Sequence, residues 1–124
     1  MKYLLDTHIL LWWYLDPAKI KTEVSAILED KGNEIYISDV VSWEIVIKTS
    51  IGKLRIPDGF FKESETDFEV LPIKRNHIYK VSELEPIHKD PFDRLLIAQS
   101  IVENIPIITR DRQILKYEIK AIEG

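Results

Sequence analysis

The sequence predicts an α/β domain with a largely parallel sheet that is covered by helices on both faces. Short apolar runs with β character alternate with stretches in which apolar residues recur at helical spacing. The first two runs read as buried strands and each ends at a polar residue, Asp6 or Ser38. In open sheets of this kind, ligands bind beyond the carboxyl ends of the strands, and we expect the functional site there.

Five runs are predicted as strands: Lys2–Leu5, Ile35–Ile37, residues 69–73, Ile105–Thr109 and Ile119–Ile122. The third contains a proline and fits best near an edge of the sheet. Six stretches are predicted as helices: His8–Leu15, Ile20–Asp30, Val40–Ile51, Phe60–Thr66, Asn76–Leu84 and Pro91–Glu103. The last is the clearest, with Asp90 as its N-cap and Pro91 at the favoured first position. Residues 52–59 are the expected flexible connection.

Length and composition predict one ordinary globular domain, residues 1–124. Hydrophobic residues make up 45% of the chain and charged residues 31%. The absence of cysteine excludes disulfides, thiolate catalysis and cysteine-bound zinc, and it makes a cytoplasmic setting the default expectation. The longest apolar run, Ile9–Leu15, is far shorter than the roughly 20 residues of a membrane-spanning helix. We therefore expect neither a membrane span nor export.

The net charge of −4 lacks the basic character that usually accompanies nucleic-acid binding. Without the four carboxylates considered next, however, the remaining charge is zero. A bound divalent cation would therefore change the local sign.

Four acidic residues occupy positions that converge in a parallel sheet. Asp6 follows the first strand and Asp111 follows the fourth. Glu44 lies about one turn into the helix after the second strand, and Asp93 lies in the first turn of the Pro91 helix. Because strand ends and helix starts meet at one edge, the four carboxylates are expected to share a cleft.

Each acid also has an ordinary structural explanation. Asp6 and Asp111 suit N-caps of following helices, and Asp93 suits a variant capping box with Asp90. Glu44 suits a helical ion pair with Lys48. Taken together, crowded carboxylates instead indicate an anionic hole that holds a cation, and all-oxygen ligands favour Mg²⁺ or Mn²⁺. Such a metal suits hydrolysis of a phosphodiester.

Other polar and aromatic residues carry weaker signals. Arg94, Arg110 and Arg112 flank two of the acids and are candidates for binding phosphate, although such arginines are more often solvated. His8 is near Asp6, whereas His77 and His88 lack ligand spacing and are interpreted as structural or surface residues. Trp12 and Trp13 suit either base stacking or a core or interface role, and we favour the latter.

Four motifs in order along nearly the whole chain resemble those of PIN-domain ribonucleases, most closely the VapC-like toxins of toxin-antitoxin pairs. The motifs are Leu-Leu-Asp6-Thr-His, Ser-Trp-Glu44-Ile, Asp90-Pro-Phe-Asp93-Arg-Leu-Leu-Ile-Ala and Ile-Ile-Thr-Arg-Asp111. The resemblance implies a three-layer α/β/α sandwich with a mostly parallel sheet of about five strands.

The resemblance also implies a function. It makes Asp6, Glu44, Asp93 and Asp111 the catalytic metal-binding set, with Asp6 and Asp93 as the direct ligands. It implies that Thr109 and Asp90 support this set. The expected activity is endonucleolytic cleavage of RNA with Mg²⁺ or Mn²⁺, neutralised by a cognate antitoxin. The expected assembly is a homodimer. The apolar helix containing Trp12 and Trp13 offers anchors for this dimer or for the antitoxin.

Three other readings remain open at this point. The chain suits a PIN-type nuclease of RNA processing, or a PIN domain that serves only to bind a partner or RNA. A receiver-like, Mg²⁺-binding signalling module also gathers aspartates at strand ends. That last reading lacks an Asp-Asp pair after the first strand and leaves Glu44 and Asp93 unexplained.

Overall fold

The computed structural model describes residues 1–117 and 119–124 and has one parallel sheet. The strands are Lys2–Leu5 (β1), Glu34–Ser38 (β2), Glu69–Leu71 (β3), Ile107–Thr109 (β4) and Ala121–Glu123 (β5). The helices are Thr7–Leu15 (α1), Thr22–Glu29 (α2), Asp39–Ser50 (α3), Phe60–Asp67 (α4), Arg75–Val81 (α5), Pro91–Glu103 (α6) and Arg112–Leu115 (α7), with a 3₁₀ turn at Pro17–Lys19. The predicted three-layer α/β/α fold is confirmed.

The order of the strands shows that the chain adds strands first on one side of the central strand β1 and then on the other. The order is β3-β2-β1-β4-β5, so the chain runs outward from β1 to β3 and then returns to begin β4 beside β1. Leu4 aligns with Tyr36 of β2 on one side and with Ile107 of β4 on the other. Such a switch point opens a crevice at the carboxyl ends of the central strands.

The central strands and α6 form the core. Leu4, Leu5, Ile107 and Ile108 are fully buried in the sheet, and helix α6 contributes Leu96 and Ile97 among its buried residues. Completely burying such a side chain contributes about 1.5–3 kcal/mol. The predicted strand at residues 69–73 is confirmed as an edge strand, shortened to Glu69–Leu71 because Pro72 cannot donate to the ladder.

Polar residues at the starts of four helices hold the first helical turns by accepting hydrogen bonds from backbone N–H groups. Asp6 accepts a hydrogen bond from the backbone N–H of Thr7, and Ser38 accepts one from Val40. Asp90 and Asp111 cap α6 and α7 in the same way. These contacts satisfy helix N–H groups that would otherwise lack partners.

The connection between α5 and α6 is held by Arg94 on α6 and by Tyr117, which follows α7. Arg94 donates hydrogen bonds to the carbonyls of Val81, Glu85 and His88 at 3.1–3.2 Å. The hydroxyl of Tyr117 donates to the carbonyl of Glu85 and accepts from the backbone N–H of His88. These contacts fix the path of residues 82–90.

The apolar helix α1 is more covered than its sequence indicates. Ile9 and Leu10 are buried, and Trp12 and Trp13 are half-buried against the core. Part of this helix therefore belongs to the core, and its use as an anchor for a dimer or an antitoxin stays a prediction. Large exposed apolar side chains also lie on α3, where Trp43 is 52% exposed, and on α5, where Ile78 and Tyr79 are exposed.

Across residues 1–117 and 119–124, no helix has the length and apolar character required to cross a membrane.

The described backbone places Asn104, at the end of α6, in the left-handed region with φ of 55°. Asparagine tolerates this conformation better than most residues, and it ends the helix before β4.

A buried hydrogen-bond network joins the end of β2 to α5 and α6. Ser38 donates to the amide oxygen of Gln99, whose Nε2 lies 3.3 Å from the carbonyl of Pro72 and from Nδ1 of His77. The Nε2 atom of His77 lies 2.7 Å from the carboxylate of Glu103. His77 is completely buried, so each of these polar atoms depends on its partner.

We predict that Ser38→Ala lowers the free energy of unfolding by about 2 kcal/mol. The substitution removes the cap of α3 and leaves the buried Gln99 without its donor. Chemical denaturation followed by circular dichroism measures the change. Ser50→Ala is the control, because the exposed Ser50 only donates to a carbonyl within its own helix, and it should change stability by less than about 0.5 kcal/mol.

Candidate active site

The candidate site lies at the carboxyl ends of the three adjacent strands β2, β1 and β4. Asp6 follows β1 directly, and Thr109 is the last residue of β4. Glu44 projects from α3, the helix that leaves β2, and Asp93 lies in the first turn of α6. The topological switch between β1 and β4 thus gathers residues that are distant in the sequence.

Asp6 is held by hydrogen bonds to both of its carboxylate oxygens. Its Oδ1 accepts from the backbone N–H of Thr7 at 2.7 Å, and its Oδ2 accepts from the hydroxyl of Thr109 at 2.7 Å. The side chain is almost completely buried. Thr109 therefore fixes the orientation of Asp6. Its supporting role in the activity, which the resemblance implies, stays a prediction.

Glu44 is held in a similar way from two sides. The hydroxyl of Thr7 donates to Oε1 at 2.6 Å, and the ammonium of Lys48 donates to Oε2 at 2.6 Å. The hydrogen bond to Glu44 raises the pKa of Lys48, so the ammonium stays charged. The predicted ion pair between Glu44 and Lys48 is present. Glu44 is buried, however, so this ion pair lies at the acidic cluster and not on an exposed helix face.

His88 lies between Asp93 and Asp111. Its Nε2 is 2.8 Å from Oδ2 of Asp93 and 3.4 Å from Oδ2 of Asp111. Its Nδ1 accepts from the backbone N–H of Asp90 at 3.3 Å, so the neutral ring carries its proton on Nε2. One polar hydrogen is thus directed at two carboxylates. Sequence reasoning missed this residue because its position depends on the contacts that Arg94 and Tyr117 make with the preceding connection.

The capping and the ligand interpretations of the aspartates are compatible. Asp111 uses Oδ1 to accept from the backbone N–H of Gln113, while its Oδ2 faces His88. Asp90 accepts from the backbone N–H groups of Phe92 and Asp93, which orients the first turn of α6. Asp90 is therefore a cap, whereas Asp93 itself faces the cluster.

The electrostatics show that the carboxylates influence one another. Burial raises the pKa of Asp93 to about 8, and the charges of Asp6, Asp90, Glu44 and Asp111 add to the rise. Burial also raises the pKa of Asp6, and the charge of Asp111 adds to this rise. Free energy is thus required to ionise Asp93 among these neighbours.

The donor set fits a divalent cation. One ligand atom from each of His88, Asp93 and Asp111 lies within 4.8 Å of the others. The position between the two carboxylates already accepts a positively polarised N–H group. Carboxylate oxygens are preferred by Mg²⁺ and Mn²⁺, and the anionic surroundings favour a cation.

The three candidate arginines differ in their surroundings. The guanidinium of Arg94 is engaged by backbone carbonyls and by the hydroxyl of Tyr117. Arg110 donates to the carbonyls of Gly124 and Lys19. Arg112 is exposed at the start of α7, next to Asp111. Arg94 thus holds the connection before α6, whereas Arg110 and Arg112 are exposed next to Asp111.

Residues 3–120 match the PIN domain family. The chain belongs to the PIN domain family. PIN domains are nucleases, and this membership replaces the receiver-like interpretation with that of a hydrolase. A comparison with curated proteins found no match.

Solved structures share the fold of this PIN domain at low sequence identity. A chain of VapBC2 from Rickettsia felis, bound to a DNA fragment from its promoter, is 17% identical, with a TM-score of 0.74 and 98% of both chains covered. A chain of VapBC-1 from nontypeable Haemophilus influenzae is also 17% identical, with a TM-score of 0.71 and coverage of 99% of this chain and 98% of that one. A chain of the toxin-antitoxin complex from Klebsiella pneumoniae is 17% identical, with a TM-score of 0.69 and coverage of 98% and 96%.

The raised pKa of Asp93 predicts how the stability of the metal-free PIN domain depends on pH. The pKa is 3.8 for an ordinary aspartate and about 8 in the folded protein, so folding favours the protonated carboxyl. The resulting stability is fully present below the lower value and is lost as the pH rises toward the higher one.

We predict that Asp93→Asn stabilises the chelated protein, more at pH 8 than at pH 5, with a gain above about 1 kcal/mol at pH 8. The amide removes the charge and keeps an oxygen acceptor for His88. Thermal melts in EDTA at both pH values measure the change. Glu29→Gln, an exposed charge removed at the end of α2, should not show this dependence on pH. A variant less stable than the wild type at pH 8 would show that the acids do not repel one another.

Proposed function

We propose that this PIN domain is a Mg²⁺- or Mn²⁺-dependent endoribonuclease that acts as the toxin of a toxin-antitoxin pair in the cytoplasm. The observation that carries this proposal is the convergence of Asp6, Glu44, Asp93 and Asp111 at the switch point of the sheet. The mutual effect of their charges on the pKa of Asp93 supports that convergence. Family membership supports nuclease chemistry, and the carboxylate donors support the choice of metal.

Asp6 and Asp93 are the proposed direct metal ligands. Both are buried, and the contacts of Asp6 with Thr7 and Thr109 restrict its carboxylate to one orientation. A ligand that is held before the metal arrives loses little entropy on binding, and such supporting contacts also tune its basicity. Glu44 and Asp111 complete the anionic set. Both oxygens of Glu44 are engaged by Thr7 and Lys48, and Oδ1 of Asp111 caps α7.

Bound at these residues, a divalent metal supplies a more acidic attacking water and offsets negative charge on the phosphate. The side chains of the protein provide the remaining requirements. Lys48 keeps its charge beside Glu44 and limits the repulsion that an incoming phosphate would meet. Arg112 is exposed beside Asp111, where its guanidinium is available to a phosphate of the substrate.

The proposed partners are an antitoxin and a second copy of the chain. The solved structures with this fold include VapBC and toxin-antitoxin complexes, which supports an antitoxin partner. The exposed side chains of Ile78 and Tyr79 on α5 and of Trp43 on α3 offer apolar anchors for such contacts.

We predict that purified protein, free of antitoxin, cleaves a mixed RNA pool with Mg²⁺ or Mn²⁺ and is inactive in EDTA. Asp93→Asn should lower the rate at least about hundredfold, because it removes ligand charge without a large change in volume. Gel analysis and sequencing of the product ends measure both the rate and the site of cleavage.

Two controls make this result specific. Glu29→Gln removes one exposed negative charge at the last residue of α2, before the amino end of β2, and should retain the wild-type rate. Circular dichroism establishes that each variant is folded. Full activity of folded Asp93→Asn with unchanged metal dependence would refute the assignment of the site.

We further predict a dimer at micromolar concentration in analytical ultracentrifugation. Replacing both Ile78 and Tyr79 with glutamate should shift the protein toward the monomer, because charged groups would be buried in the contact. A wild-type protein that sediments as a monomer would contradict the proposed homodimer.

A further inference from the structure

An open hollow of about 260 Å³ lies beside the acidic cluster, and its lining combines aromatic, cationic and acidic groups. The lining residues are Asp6, His8, Trp12, Arg110 and Asp111. Two of these are acids of the proposed catalytic set, and the other three have no part in the mechanism described above. A group that fills the hollow therefore lies directly against the acids.

We infer that this hollow binds one unpaired base of the RNA, next to the phosphodiester that is cleaved. This inference rests on the proposed nuclease function and adds a substrate subsite to it. Proteins that bind single-stranded nucleic acids combine positive charge along the backbone with aromatic side chains on which bases stack. The hollow has both features in a chain whose net charge is −4.

Trp12 is the aromatic centre of this arrangement. The ring of His8 lies 5.9 Å from its ring, and the guanidinium carbon of Arg110 lies 4.7 Å from the ring centroid. The ammonium of Lys19 lies 5.6 Å from the same centroid. Trp12 is half-buried against the core and also lines the hollow, so its packing holds the indole in place while part of it is accessible there.

Arg110 is held in place without losing its charge. Its Nε donates to the carbonyl of Gly124 at 2.7 Å, and one terminal nitrogen donates to the carbonyl of Lys19 at 2.8 Å. These contacts orient the guanidinium beside the indole of Trp12, where its positive charge faces the hollow. The rigid placement lowers the entropy that is lost on binding.

The size of the hollow and its position beside the acids indicate which form of RNA is able to bind there. It is smaller than the roughly 300–1,000 Å³ of pockets that enclose drug-sized ligands, which suits one planar base. A base within a duplex is stacked and paired and cannot enter. The substrate is therefore a single-stranded segment or loop whose base is turned out, in agreement with the way proteins usually read RNA sequence.

The test combines substitutions in the protein with the removal of single bases from the RNA. The probe is a short, unstructured, fluorescein-labelled RNA and a set of versions in which one nucleotide at a time lacks its base. Binding is measured by fluorescence anisotropy with Mg²⁺ in the Asp93→Asn protein, which the proposed function predicts to be inactive. Cleavage of the probe is recorded separately, so cleavage by Asp93→Asn would contradict the proposed function without obscuring the binding result.

We expect Trp12→Ala to weaken binding of the intact RNA about tenfold, and removal of the base at one position to weaken binding by the parental protein similarly. The substitution and the base removal together should weaken binding no more than either change alone, because both remove the same contact. A duplex of the same sequence should bind more weakly than the single strand and be insensitive to Trp12→Ala.

Trp13→Ala is the matched control, because Trp13 is the half-buried neighbour on α1 and lies outside the described lining of the hollow. If Trp12→Ala does not fold, the exposed His8 provides the second variant, and His8→Ala should couple to the same abasic position. The inference is overturned if no abasic RNA binds more weakly than the intact RNA. It is also overturned if the effects of the substitution and of base removal simply multiply, or if Trp12→Ala weakens only antitoxin binding.

Discussion

Repulsion among carboxylates at one edge of a parallel sheet is the constraint on which the rest of this structure depends. Burial and neighbouring charges raise the pKa of Asp93 to about 8, so the folded protein resists ionising this group. The surrounding contacts act against that cost. Thr7 and Thr109 donate hydrogen bonds to the acids, Lys48 places an ammonium on Glu44, and His88 directs one N–H at two aspartates.

The topology creates this constraint. Because β4 lies beside β1, Thr109 is able to donate to Asp6 although 103 residues separate them. The same adjacency places Arg110, which follows β4, beside Trp12 on α1. The acidic cluster and the hollow are therefore two parts of one crevice at the switch point, and the reacting phosphate and its neighbouring base are proposed to occupy them together.

The sequence was sufficient to predict the parallel α/β fold and the positions of the four acids at strand ends and in the helices that follow, because these positions follow from local patterns. Asp6 and Asp111 follow apolar runs, and the Pro91 helix begins and ends as its pattern predicts. The edge position of β3 was predictable from Pro72 alone.

Other features depend on contacts that local patterns do not contain. The position of His88 follows from the hydrogen bonds of Arg94 and Tyr117, residues that lie beyond it in the sequence. The half-burial of Trp12 and the role of Arg110 depend on the meeting of α1 with the end of β4. A uniformly apolar helix such as α1 shows no polar face from which its exposed side could be predicted.

The most direct test of this account is a crystal structure of the protein with Mn²⁺, in which anomalous scattering identifies the metal. The account predicts an ion at the carboxyl end of β1, with oxygens of Asp6 and Asp93 within about 2–2.6 Å. It also predicts that the contact of His88 with Asp93 and Asp111 changes when the metal neutralises these acids. Crystals in which millimolar Mn²⁺ leaves this edge of the sheet without an anomalous peak would contradict it.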